Sequence, residues 1–218
     1  MISALCLGCA HSSNNVSKST AIPLEAKTPA YAFEVLKQGN ERFVINDGRW
    51  EGHVTSNLVE HLEGQNPYAM IISCADSRVP VEHIFDAGFG ELFVMRVAGN
   101  VATSEIIGSS EYAALALKTP LMVVLGHSAC GAVAGSLQID ELYEKYPDDL
   151  QFLLEDIRKD LVINDIEPTV DDAVALNVRK QVAKLNAIPT FAQSVADGNL
   201  MIVGGVYNIG TGRVTFLE

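Results

Sequence analysis

The sequence predicts an α/β fold, in which a central, mostly parallel β-sheet is covered by helices on both faces. Several short segments are apolar along their whole length, which is typical of strands buried on both faces of a parallel sheet. Segments with helical spacing of apolar residues alternate with them. The chain has 218 residues, of which 48% are hydrophobic, so it can bury the core of a single domain of this class.

The first predicted element is a helix near the start of this domain. Thr28 can cap its N-terminus, and Pro29 can occupy its first helical position. The pair Gly39-Asn40 predicts an interruption within the helix. The apolar positions at helical spacing are Ala32, Leu36 and Phe43.

Five segments predict strands. They are residues 68–73, 91–97, 121–126, 200–207 and 213–217. Between the second and third of them, the apolar spacing that follows Ser104 predicts a helix. Before the fourth, Thr169 and Asp172 resemble a capping box that begins another helix. The apolar stripe of that helix consists of Val174, Val178, Val182 and Leu185.

The acidic charge of the chain is concentrated in one segment. The formal net charge is −12, and residues 140–172 hold 12 acidic and 3 basic side chains, hence 3 − 12 = −9. Apolar residues at helical spacing in this segment predict a helix with a solvated acidic face. A partner-docking role is an alternative. So acidic a chain does not favour a nucleic acid as partner.

The first 28 residues form a separate region, either a leader or a disordered tether, before a single domain over residues 29–218. An apolar stretch, residues 2–10, precedes a polar one and resembles an export leader. A leader would imply the bacterial periplasm or cell envelope, and a tether the cytoplasm. No apolar run is long enough to predict a transmembrane span, and 4 cysteines are too few for a disulfide scaffold.

Two loops carry the residues best suited to chemistry. The sequence CADSR, residues 74–78, follows the first strand, and GHSACG, residues 126–131, follows the third. In a parallel sheet, loops at the carboxyl ends of strands share the edge at which α/β proteins place their sites. Thiolate, imidazole and carboxylate together suit zinc. A disulfide between Cys74 and Cys130 is an alternative, but it would leave Asp76, Arg78 and His127 without a purpose.

Together these two motifs closely resemble those of the β-class carbonic anhydrases. The resemblance extends over about residues 30–217, through AFEVLKQGNERFV, GELFVMRVAGN and GGVYNIGTGRV. It implies the fold of that family, with an antiparallel C-terminal edge strand. It also implies a zinc lyase that catalyses the reversible hydration of carbon dioxide to bicarbonate and a proton by zinc-bound hydroxide.

The resemblance implies one zinc ion per chain, held by Cys74, His127 and Cys130. The fourth position belongs either to water or to Asp76. When Arg78 pairs with Asp76, the carboxylate leaves the metal, and an exchangeable position opens for catalysis. Asp76 and Arg78 are therefore the expected catalytic residues.

The same resemblance implies a substrate pocket that is shared between subunits. Gln65 is expected to hydrogen-bond the substrate, Phe93 and Tyr112 to form an aromatic wall, and Gly131 to offer a backbone N–H. In the family, Gln65, Phe93 and Tyr112 come from the neighbouring subunit, so the expected assembly is a homodimer or a dimer of dimers. Without the resemblance, Phe93 and Tyr112 would be assigned to core packing.

One departure from the family pattern bears on regulation. Some bacterial members bind inhibitory bicarbonate at a site built around a Trp three residues before the first zinc Cys, where this chain has Ile71. Arg96 and Tyr112, which would help to build that site, are present. We therefore expect no such site and an open zinc at neutral pH. Alternative functions are hydrolysis of carbon disulfide or carbonyl sulfide on the same zinc, or a non-catalytic structural zinc protein.

Overall fold

The computed structural model describes residues 28–49, 62, 64–159, 161 and 168–217. Five strands form one sheet in the order β2-β1-β3-β4-β5. The strands are β1 (Ala69–Ser73), β2 (Leu92–Arg96), β3 (Leu121–His127), β4 (Met201–Tyr207) and β5 (Val214–Leu217). The first four are parallel, and β5 runs antiparallel to β4. This confirms the predicted fold class, including the antiparallel edge strand.

Helices cover both faces of the sheet, as predicted. They are α1 (Pro29–Val44), α2 (Val81–Ile84), α3 (Ser104–Leu115), α4 (Gly131–Leu137), α5 (Ile139–Leu142), α6 (Asp148–Arg158), α7 (Val170–Asn186) and α8 (Pro189–Ala196). One face of β1 and β3, with Ile71 and Val123, packs with residues of α1 and α2. The other face, with Met70 and Val124, packs with residues of α3, α7 and α8. Successive strand residues face opposite sides, so each strand contributes to both cores.

The predicted interruption of the first helix at Gly39-Asn40 is wrong. Helix α1 continues through both residues, because each has a specific role in packing. A Cβ atom on Gly39 would lie 1.9 Å from the backbone oxygen of Phe85, so only glycine allows this approach. Asn40 is buried and donates through Nδ2 to the carbonyls of Ile84 and Gly212, at 3.1 and 2.9 Å.

Side-chain caps fix the starts of the two longest helices. Thr28 Oγ1 accepts from the Tyr31 N–H at 3.2 Å, with Pro29 in the first turn of α1. Thr169 Oγ1 accepts from the Asp172 N–H at 3.2 Å at the start of α7. Both caps were predicted, and such caps contribute about 1 kcal/mol each.

Helix α7 lies unusually close to the sheet. A Cβ atom added to Gly126 of β3 would lie 2.7 Å from the side chain of Val178. A Cβ atom added to Gly204 of β4 would lie 2.6 Å from the same side chain. Two glycines on adjacent strands therefore form the surface that receives the apolar stripe of this helix. The stripe was predicted, and Val174, Val178 and Leu185 of it are buried.

The acidic segment is helical only in part. Helices α5 and α6 are separated by a short 3-10 turn over Tyr143–Lys145 and by Pro147, which precedes the first residue of α6. The described part of the segment buries Leu154 and Ile157, whereas the side chain of Phe152 is 72% exposed. The helical structure of the segment is thus interrupted before Pro147, because a proline in the interior of a helix would remove a backbone hydrogen bond.

The proposed leader, with its apolar residues 2–10, lies outside the described residues. Within the part of the chain that the structure describes, no helix combines the length and the apolar character that crossing a membrane requires.

Candidate metal centre

Two neighbouring strands bring the predicted metal ligands together. Cys74 directly follows β1, His127 is the last residue of β3, and Cys130 precedes the first residue of α4. Because β1 and β3 are adjacent and parallel, their carboxyl ends meet at one edge of the sheet. The ligating atoms of these three residues all lie within 4.8 Å of one another, and the three residues are buried.

The geometry of this group fits a tetrahedral metal ion. The two Sγ atoms are 3.9 Å apart, and two sulfurs bound to a tetrahedral zinc are about 3.8 Å apart. Both cysteines are free thiols, so the disulfide alternative is wrong in this structure. Sulfur and imidazole ligands in this arrangement are the set that zinc favours.

His127 is prepared to offer one nitrogen. Its Nδ1 lies 3.0 Å from the carbonyl oxygen of Ser128, an arrangement in which Nδ1 carries the proton and donates it. Its Nε2 is buried and has no hydrogen-bond partner among the described residues. An unpaired buried nitrogen is costly unless something binds it, and a metal ion would satisfy it.

The charges within the group favour a thiolate at Cys74. Contact with Cys130 lowers the pKa of the Cys74 thiol, and the same contact raises the pKa of Cys130. Burial lowers the pKa of His127, but the nearby Cys74 sulfur, the Ser128 carbonyl and the charge of Asp76 together outweigh burial, so the net shift is upward. The group therefore already stabilises negative charge on one sulfur, the form in which cysteine binds metals.

Asp76 lies beside this group but is held by Arg78. Arg78 Nε donates to Asp76 Oδ1 at 2.9 Å, and Nη2 donates to Oδ2 at 2.7 Å. Oδ2 is also 3.9 Å from Nε2 of His127. The hydrogen bond from Arg78 holds the pKa of Asp76 well below its usual range, so the carboxylate stays ionised. Ligation of a metal by Asp76 stays a prediction.

Arg96 supports the first loop, a role that the sequence reasoning missed. Its Nε donates to the carbonyl of Cys74 at 2.9 Å, and its Nη2 donates to the carbonyl of Asp76 at 2.6 Å. Arg96 ends β2 opposite Ser73, the last residue of β1. A basic residue at the end of a strand beside the predicted loop was the available signal.

Of the predicted substrate residues, Phe93 is half-buried, whereas Gln65, Tyr112 and Gly131 are exposed. The rings of Phe93 and Tyr112 are 6.2 Å apart, so the structure brings the expected aromatic pair together. Tyr112 is 51% exposed, which core packing does not explain. Gln65 is exposed, and Gly131 is exposed with open space where a Cβ would stand.

Comparisons with known sequences point to one family. The model of the carbonic anhydrase family matches residues 69–214, which is well over half of the chain. A carbonic anhydrase 2 of Mycobacterium tuberculosis is 37% identical over 193 residues, covering 87% of this chain and 93% of that protein. A carbonic anhydrase of Mycolicibacterium smegmatis is 36% identical over 189 residues, covering 85% and 92%.

Solved structures give the same result. The β-carbonic anhydrase CcaA superposes with a TM-score of 0.68 at 32% identity, covering 85% of this chain and 95% of that one. A tetrameric β-carbonic anhydrase from Sordaria macrospora superposes with a TM-score of 0.62 at 28% identity, covering 85% and 96%.

Proposed function

The chain belongs to the β-class carbonic anhydrase family, and on this premise we propose that it hydrates carbon dioxide at a zinc ion held by Cys74, His127 and Cys130. The observation that carries the proposal is the buried convergence of these three ligands next to an Asp76 that is paired with Arg78. Each chain would hold one zinc ion.

Three protein ligands leave the fourth tetrahedral position for the reaction, as catalytic zinc requires. A zinc ion held by Cys74, His127 and Cys130 would lower the pKa of a coordinated water to about 7 and so would supply hydroxide near neutral pH. The buried surroundings of His127 and of both cysteines limit the access of competing ligands from solvent.

Asp76 has the role of a fixed hydrogen-bond acceptor beside the fourth position. Its lowered pKa keeps the carboxylate ionised, so Asp76 can accept a hydrogen bond but cannot donate a hydrogen bond. Arg78 holds both oxygens in a bidentate pair, which fixes the direction from which the carboxylate accepts. With zinc present, Asp76 held in this direction would accept a hydrogen bond from the group that attacks the substrate and so would orient that group.

The substrate side of the pocket combines apolar and polar groups. Carbon dioxide is apolar, and the paired rings of Phe93 and Tyr112 would give it an aromatic wall. Gln65 and the N–H of Gly131 would hydrogen-bond the substrate oxygens. We place Gln65, Phe93 and Tyr112 in the site of the neighbouring subunit, so the working unit is a homodimer or a dimer of dimers, and the tetrameric relatives support such an assembly.

The alternatives have less support. A structural zinc site would take its fourth ligand from the protein, whereas the pairing of Asp76 with Arg78 supports an open position. The matching relatives are carbonic anhydrases, which supports carbon dioxide as the substrate over carbonyl sulfide or carbon disulfide.

Asp76→Asn separates the enzyme from the structural alternative. The proposal expects this variant to keep its zinc and to lose about 10²-fold or more in hydration rate. Asp140→Asn is the matched control, because Asp140 is an exposed carboxylate paired with Arg158 at 2.7 Å. Loss of zinc from Asp76→Asn together with unchanged specific activity per zinc would contradict the proposal.

A further inference from the structure

Two buried amide side chains on α7 extend the metal centre beyond its ligands. Asn177 and Gln181 are both fully buried and lie one helical turn apart. They face the segment between β2 and α3, which includes the 3-10 turn Ala98–Asn100. The sequence pattern of this helix indicates its apolar stripe but not the role of these two amides.

The two amides form a chain of hydrogen bonds that ends at the carbonyl of Gly99, a residue whose own N–H contacts the sulfur of Cys74. The N–H of Ala102 donates to Gln181 Oε1 at 2.9 Å, and Gln181 Nε2 donates to Asn177 Oδ1 at 3.1 Å. Asn177 Nδ2 then donates to the carbonyl of Gly99 at 2.8 Å. The N–H of Gly99 in turn donates to Cys74 Sγ at 3.4 Å.

The position of Gly99 in this chain suits only glycine. Its φ of +71° lies in the left-handed region, which glycine adopts without steric cost. A Cβ atom here would lie 2.4 Å from Cδ1 of Ile157, so the position also has no room for a side chain. The Gly99 carbonyl, which accepts from Asn177, and the Gly99 N–H, which faces the sulfur, belong to the two peptide groups on either side of the Gly99 Cα. The bond from Asn177 therefore acts by restricting rotation of the backbone at Gly99, which helps to keep the N–H directed at the sulfur.

We propose that Asn177 is a positioning residue of the metal centre, which acts through Gly99 to hold an N–H hydrogen bond on the Cys74 sulfur. A donor to a thiolate stabilises its negative charge. It thereby reduces the electron density that the sulfur gives to a bound metal, the kind of tuning that groups behind the ligands exert. The inference deepens the proposed function and rests on it, because it requires a metal at Cys74.

The test uses the full chain loaded with Co²⁺ in place of zinc. Asn177→Leu keeps the size of the side chain but removes its donor and its acceptor. We expect the sulfur-to-cobalt charge-transfer band to move to longer wavelength, because the sulfur without its donor gives more electron density to the metal. We expect the metal affinity, measured by competition with a chelator, to fall about 10- to 100-fold, because the backbone behind Cys74 is then less well positioned and the free thiolate is less well stabilised. The free energy of unfolding of the metal-free variant is measured in parallel.

Asn40→Leu is the matched control. Asn40 is also a buried amide that bonds to distant backbone groups, but its partners are Ile84, Gly212 and Val214 rather than the residues behind Cys74. We expect this variant to lose stability while its cobalt band and metal affinity stay unchanged. If Asn177→Leu loses stability in the same way and keeps both the band and the affinity of the parent, the role of Asn177 is structural and the inference is wrong.

Gln181→Met provides a milder second variant. It removes the donor that orients Asn177 while keeping the length of the side chain, so we expect a smaller shift of the band in the same direction. Should Asn177→Leu fail to fold, an unchanged band in Gln181→Met would overturn the inference. The parent chain separates the two proposals, because failure of the parent to bind Co²⁺ would refute the metal centre itself.

Discussion

Arg78 holds both carboxylate oxygens of Asp76, with Nε 2.9 Å from Oδ1 and Nη2 2.7 Å from Oδ2. The backbone N–H of Arg78 also donates to Oδ1 at 2.9 Å. Nη2 further reaches the carbonyl of Ala129, next to Cys130, at 3.4 Å. One guanidinium thus joins both ligand-bearing loops and keeps Asp76 engaged beside the metal ligands rather than among them.

We predict that Arg78→Lys uncouples hydration from zinc binding. Lysine provides one point charge and no bidentate fork, so Asp76 would no longer be held in a single orientation. We expect the hydration rate near neutral pH to fall about 10²-fold while the zinc content stays at one ion per chain. Stopped-flow hydration and metal analysis on the same sample measure both quantities.

Arg42→Lys is the control for this change. Arg42 pairs with the buried Asp86 through a similar Nε contact, at 2.5 Å, on the side of the molecule where α1 packs. The control should lose stability without losing activity per zinc. Equal losses of activity in both variants would show that the effect of Arg78→Lys is a general loss of folded protein.

We predict that removal of the metal destabilises the chain. Without metal, Nε2 of His127 is buried with no partner among the described residues. A ligand that binds only the folded state, at about 1,000 times its Kd, adds about 4 kcal/mol to the free energy of unfolding. Thermal unfolding with and without a chelator, followed by addition of zinc, should show a Tm that falls and recovers. In Cys130→Ser the Tm should respond much less, and an equal response there would contradict this ligand set.

We predict that Gly39→Ala strongly destabilises the fold. Its Cβ would lie 1.9 Å from the backbone oxygen of Phe85, which cannot move aside as a side chain would. We expect a loss of about 3 kcal/mol in the free energy of unfolding, the upper end of the usual range for overpacking. Gly135→Ala is the control, because its Cβ would make an ordinary contact of 3.5 Å with Leu154. Denaturant unfolding at one protein concentration measures both, and comparable stabilities would refute the packing of α1 described above.

We predict that Gln65 acts in the site of the neighbouring subunit. Cys130→Ser alone and Gln65→Leu alone should both have low activity, the first for lack of zinc and the second for lack of a substrate contact. A mixed dimer of the two variants contains one site with intact ligands and an intact Gln65 from the partner. Coexpression and purification of the mixed dimer should therefore restore activity at about one site in two. No recovery in a verified mixed dimer would contradict the shared site.

The local pattern of the sequence predicted most of the architecture. The strands could be found because their residues are apolar throughout, as strands buried on both faces must be. The caps at Thr28 and Thr169 involve residues three positions apart, so the signal is local. The proximity of the two motif loops could be predicted because a parallel sheet gathers the ends of its strands at one edge.

What could not be predicted depends on contacts between distant parts of the chain. Asn40 bonds to Gly212, 172 residues away, and this contact stabilises a helix that the local pattern interrupts. Asn177 bonds to Gly99 across 78 residues, within a helix whose spacing reveals only its apolar stripe. Buried amides of this kind look like ordinary polar residues until their partners are known, since a hydrogen bond between residues far apart in the chain has no signature in sequence spacing.

The most direct test of the central claim is stopped-flow hydration of carbon dioxide by zinc-loaded chain, from about pH 6.5 to about pH 9. Because Arg78 holds Asp76, we predict activity already near neutral pH, with one zinc per chain and a single rise as the pH increases. Activity that appears only at high pH, with zinc fully bound throughout, would mean that Asp76 occupies the metal at neutral pH. That result would contradict both the open site and the expectation drawn from Ile71.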